Sequence, residues 1–107
     1  MERTLRAFYE IALAHTDLRW AKSRDDLISK TIKVLRVFKE GKGLEEVEAS
    51  RELSSEIETQ LNGLLRFVRE NSQEVDKLID LLSMFVKSPA PCKIKLISFV
   101  EVLLEDR

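Results

Sequence analysis

Between Val75 and Lys87 the polar residues other than Lys77 fall on one line. Asp76, Asp80, Ser83 and Lys87 recur at steps of four, three and four, a single narrow stripe on a helix. The residues between them are nearly all apolar: Val75, Leu78, Ile79, Leu81, Leu82, Met84, Phe85 and Val86. A helix with so thin a polar stripe must be covered on several sides. The pattern therefore predicts a central helix with neighbours packed around it.

The rest of the chain supplies those neighbours. Leu5, Phe8, Ile11, Leu18 and Ala21 hold a helical period and predict a first helix from about Glu2 to Lys22. Ser23 is placed to cap a second helix, with Asp25 and Asp26 in its positive first turn. That helix carries the broad apolar face Leu27, Ile28, Thr31, Ile32, Val34, Leu35 and Phe38. It ends at Gly41-Lys42-Gly43, where a glycine is free to take positive φ. The third segment predicts helix from Ser55 to Glu70, opened by the capping box Ser55-x-x-Glu58. A helical stretch from Leu44 precedes it, continuous with it or kinked near Ser54. Within it Leu53, Ile57, Leu61, Leu64 and Val68 step like a coiled-coil seam, and Gly63 offers room for a close helix approach.

Asn71-Ser72 predicts a break, with Asn71 as a left-handed cap and Ser72 capping the central helix. Ser88-Pro89-Ala90-Pro91 predicts its end. Cys92 to Glu105 then reads as helix, because Ile94, Ile97, Val100, Leu103 and Leu104 keep helical spacing despite several β-branched residues. The fold class expected is all-α: a single domain over residues 1–107, a compact bundle of four to five mostly antiparallel helices.

Composition supports this and narrows the setting. Hydrophobic residues make up 44% and charged residues 35% of the 107, enough to fold a charge-coated domain without disulfides. Three glycines and two prolines are too few for a turn-rich β fold. Rare amides beside many Glu, Lys and Arg match a thermophile's composition. Cys92 is the only cysteine, which points to a reducing, cytoplasmic compartment. No apolar run reaches the roughly 20 residues of a membrane span, and the opening MERTLRAFYE lacks the form of a signal peptide. The net charge of -1 hides a division: residues 1–43 carry +4, residues 44–80 carry -6 and residues 81–107 carry +1. Such asymmetry suits pairing within the bundle, between subunits, or with a charged partner.

Catalytic chemistry is thinly provided. His15 is the single histidine and sits among Phe8, Ile11 and Leu18, as a core or boundary residue would. Cys92 reads as a small apolar residue at the start of the last helix. Gly41-Lys42-Gly43 lacks the strand and remaining motif of a phosphate loop. Glu45-x-x-Glu48 followed by Gln73-x-x-Asp76 resembles in part the ExxE and ExxD pattern of MazG-like nucleotide pyrophosphohydrolases. That resemblance implies a Mg²⁺-dependent nucleotide hydrolase, and it departs from the pattern at Gln73, a neutral residue where Mg²⁺ prefers carboxylate. A solvated acidic face accounts for the same glutamates, and neither a cofactor nor a small-molecule substrate is expected.

Two surfaces remain as functional candidates. Arg19, Trp20, Lys22 and Arg24 set an indole among cations, and Lys30, Lys33 and Arg36 continue along the second helix, a pattern usable for nucleic-acid contact. The apolar surplus is the stronger signal. The seam Leu53, Ile57, Leu61, Leu64 and Val68 and the last-helix residues Phe99, Val102 and Leu103 exceed what a bundle of this length is expected to cover. The function expected is a small protein–protein interaction module without catalysis, a homodimer or a subunit or adaptor of a larger assembly.

Overall fold

The computed structural model describes residues 2–14, 21–49, 57 and 60–105. Six helices lie among them: α1 (Glu2–Ala14), α2 (Ala21–Lys39), α3 (Leu44–Glu48), α4 (Leu61–Glu70), α5 (Val75–Lys87) and α6 (Ala90–Glu105). A short 3₁₀ turn, Ser72–Glu74, leads into α5. No strand occurs among the described residues, and the all-α bundle is the architecture.

The helix ends follow local chemistry, in places other than the expected ones. Ser23 lies inside α2, because nothing in Ala21-Lys22 interrupts a helix. At the other end Gly41 takes φ +91. Its N–H donates to the Phe38 carbonyl at 3.0 Å and the Lys42 N–H donates to Val37 at 3.4 Å, a paired left-handed ending. The third segment is not one helix. Ala49 and Ile57 stand in turns, and α4 begins at Leu61 after Gln60. The expected capping box at Ser55 and Glu58 lies outside the described residues, as do His15 and Leu53. α3 is opened instead by Glu46, whose carboxylate accepts the Gly43 N–H at 2.9 Å.

Asn71 is not left-handed, with φ -133 and ψ 46. Its N–H and its side-chain amide both donate to the Phe67 carbonyl, at 2.8 and 3.3 Å, which closes α4 without positive φ. Ser72 starts the 3₁₀ turn and makes no side-chain cap bond to α5. α6 begins at Ala90, since Pro91 in a first turn loses no helical hydrogen bond.

α5 is the hub. It packs against α1, α2 and α6 and buries Val75, Leu78, Ile79, Leu82 and Phe85. Asp76 and Asp80 of the polar stripe face water, Lys87 does too, and Ser83 is half-buried. Phe8 of α1 meets Phe85 edge to face, with centroids 5.7 Å apart and planes at 80°, the favourable arrangement of ring quadrupoles. α2 runs antiparallel to α5. Lys39 near its end pairs with Asp76 at the start of α5, and Asp25 near its start reaches Lys93 just past the end of α5. α1 runs in the same sense as α5, because Thr4 bonds Glu74 and Phe8 then meets Phe85. The buried hydroxyls are satisfied: Thr4 donates to Glu74 at 3.2 Å and Thr31 to the Leu27 carbonyl at 3.0 Å.

Lys93 is a buried cation, with 6% of its surface exposed. Its ammonium donates to the carbonyls of Val86 (3.1 Å) and Ser88 at the end of α5. It lies 3.6 Å from an Asp25 carboxylate oxygen and 5.7 Å from the Phe85 ring centroid. The last carbonyls of a helix have no partner within it and carry its negative pole, so a cation there satisfies both needs. Ser88 completes the ending, its hydroxyl donating to Met84 at 2.7 Å and its N–H to Phe85 at 3.2 Å.

Two outcomes test this account. Leu82→Asp should unfold or aggregate the protein, because a buried unpaired carboxylate costs several kcal/mol against a total of about 5–15; a melt within a degree or two of wild type would remove α5 from the centre. Lys93→Met should lower stability by about 1 kcal/mol, since it removes the donor from two part-buried carbonyls and the counter-ion from Asp25. Urea denaturation with an unchanged midpoint would show that those carbonyls do not need the ammonium.

Candidate interaction surface

α6 is the edge helix. Lys93, Leu96, Ile97, Val100 and Leu104 turn toward α1 and α5, and of these only Lys93 and Val100 are fully buried. The other side faces water although much of it is apolar. Phe99 is 62% exposed, Val102 55% and Leu103 37%, and Ile94, set apart on the helix, is 67% exposed. Cys92, Leu96, Phe99 and Leu103 recur at steps of four, three and four, so an exposed cysteine and a half-buried leucine extend the Phe99–Leu103 stripe. Val102 widens it.

α6 is held to α1 on its opposite side. The Tyr9 hydroxyl donates to the Glu101 carboxylate at 3.2 Å. Loss of water around the phenol, the bond to Glu101 and the negative charges of Glu101 and Glu105 all hold the Tyr9 hydroxyl above its ordinary value of 10. The apolar stripe is thus left free of this anchoring contact.

The seam on the third segment has a different place. Ile57, Leu61, Leu64 and Val68 are buried in the core of the same chain. α4 packs on α2, on α3 and on the 3₁₀ turn, so this part of the seam is taken up within the chain. The apolar surplus is therefore concentrated on α6, with Met84 of α5, 47% exposed, as a further apolar side chain in water.

Arg19 and Trp20 lie outside the described residues, and Lys22 and Arg24 fall in the first turns of α2. Lys33 and Arg36 are exposed and Lys30 is half-buried. Asp26 and Glu40 are exposed on the same helix and just beyond its end, and Lys39 is engaged by Asp76 rather than by the acidic third segment. Glu45, Glu48, Gln73 and Asp76 are all exposed. Among the described residues no three His, Cys, Asp or Glu side chains gather as a metal site would require. No helix of the described chain is long and apolar enough to cross a membrane.

The chain matches no protein-family model, no curated protein and no solved structure.

Tyr9 is the only tyrosine, so its ionisation can be followed by tyrosinate absorbance. The folded state holds the phenol proton more tightly than the unfolded chain does. This contribution is present below pH 10 and is lost as pH rises through the folded value, so stability should fall in that window. Tyr9→Phe should flatten that fall. A Tyr9 that titrates at or below 10 in the folded protein would mean that α6 does not dock on α1 through Glu101.

Proposed function

We propose that this protein is a helical protein–protein interaction module that self-associates through the outer face of α6. The observation that carries this is the exposure of Phe99, Val102 and Leu103 on one helix whose opposite face is already packed. Burying a Phe, Val or Leu side chain is worth about 1.5–3 kcal/mol, so leaving this group in water is costly. A second copy offers the same stripe, and a symmetric pair buries both at once. The heptad-like steps from Cys92 to Leu103 suit helix-on-helix packing about such an axis. The unpaired edge position of α6 leaves room for it. The nucleic-acid alternative has weaker support, since Asp26 and Glu40 accompany the exposed cations of α2.

Sedimentation at micromolar concentration tests the reading. The wild type should run at twice the 12.4 kDa chain mass. Phe99→Ser combined with Leu103→Ser should run as a monomer with an unchanged circular dichroism spectrum. A monomeric wild type that binds a hydrophobic dye, and loses the dye in the double variant, would assign the face to a different protein partner. A monomeric wild type that binds no dye would remove the reading altogether.

A further inference from the structure

α1 packs on α5 and α6 while α4 packs on α2, and a cleft of about 450 Å³ is left between α1 and α4. Leu78 of α5 lines it, with Ala7 and Ile11 contributed by α1 and Leu64 and Phe67 by α4. The volume falls within the roughly 300–1,000 Å³ of small-molecule sites.

Gly63 lines this cleft. A glycine inside a helix is unfavourable relative to alanine, and close approach of a second helix is the usual compensation. That compensation is missing here: Gly63 is exposed, and a Cβ added to it meets nothing within 4 Å. The glycine thus weakens α4 without a packing gain, and it leaves open space at the edge of the cleft.

Charge gives that space a preference. Arg3 and Arg6 of α1 and Arg66 of α4 line the cleft, against Glu10 and Glu70. All five are exposed, and Arg6 has only a loose ion pair with Glu2 at 3.8 Å. Three guanidinium groups beside an apolar floor match a carboxylate joined to an apolar body, because a guanidinium binds carboxylate through two parallel hydrogen bonds. We propose that the α1–α4 cleft binds a small amphipathic carboxylate, its apolar part against the half-buried Ala7 and Phe67 and its head group held by Arg66 with Arg3 or Arg6. The lining residues of α1, Arg3 to Ile11, span about 12 Å at 1.5 Å per residue, a length that suits one alkyl chain or ring system. This site is separate from the α6 face and does not depend on it.

Calorimetric titration of the full chain with decanoate, below its micelle concentration, tests the proposal. Saturable one-to-one binding is expected, with decanol weaker by about tenfold or more because it lacks the charge. Arg66→Gln, an exposed change that should leave the melting temperature intact, should weaken decanoate by a similar factor. Gly63→Ala should bind as wild type does, whereas Gly63→Phe should fill the cleft and abolish binding. The α6 double variant Phe99→Ser, Leu103→Ser should bind decanoate unchanged, which separates this site from the exposed stripe. Absence of saturable binding, equal affinity for decanol, or full binding by Arg66→Gln would each overturn the assignment. So would an acidic amphipathic peptide that occupies the cleft while decanoate does not.

Discussion

The need to keep α5 out of water organises this protein. Leu78, Leu82 and Phe85 are fully buried, and they point in directions that no single neighbour can cover. α2 covers one side in antiparallel register, α1 another in parallel register, and α6 folds back after only Ser88 and Pro89 to cover part of what remains. α1 and α2 commit their apolar faces to it, and α6 commits only one side. The aromatic pair Phe8–Phe85 and the ion pair between Lys39 and Asp76 mark the two sides at which the register is set.

The end of α5 shows a second constraint. A helix that finishes inside a bundle leaves carbonyls without partners, and burial makes those expensive. Lys93 resolves this by sending an ammonium back to Val86 and Ser88, with Asp25 of α2 as its counter-ion. One side chain therefore ties α6, the end of α5 and the start of α2 together. It also fixes which face of α6 turns inward. With Lys93 and Val100 inside, Phe99 and Val102 are directed outward. The apolar surface on α6 follows from the way the α5 ending is satisfied.

The α1–α4 cleft and the α6 stripe have opposite origins. The stripe is apolar side chain that nothing in the described chain packs over. The cleft lies between two helices that have neighbours elsewhere, with Gly63 among its lining residues. A stripe suits another helix and a gap suits a small ligand, so the two surfaces invite different partners.

Helix existence and the centrality of α5 were legible in the sequence, because both depend on local periodicity. A thin polar stripe at Asp76 and Asp80 can only mean a covered helix, and Gly41-Lys42-Gly43 announced a glycine ending without saying which glycine takes it. The exposed stripe on α6 was legible as surplus for the same reason. Lys93 was not, since its sequence neighbours Cys92 and Ile94 give no sign that its ammonium turns inward to backbone carbonyls. Nor was the fate of the seam at Ile57, Leu61, Leu64 and Val68: its spacing shows an apolar face and cannot say whether the same chain covers it. Gly63 was ambiguous in the same way, for a glycine in a helix marks either a close approach or an open space, and only the positions of α1 and α4 decide between them. Periodicity along a chain specifies which face of a helix must be buried. Which element buries it, and which face is left over, is decided by the arrangement of all the helices together.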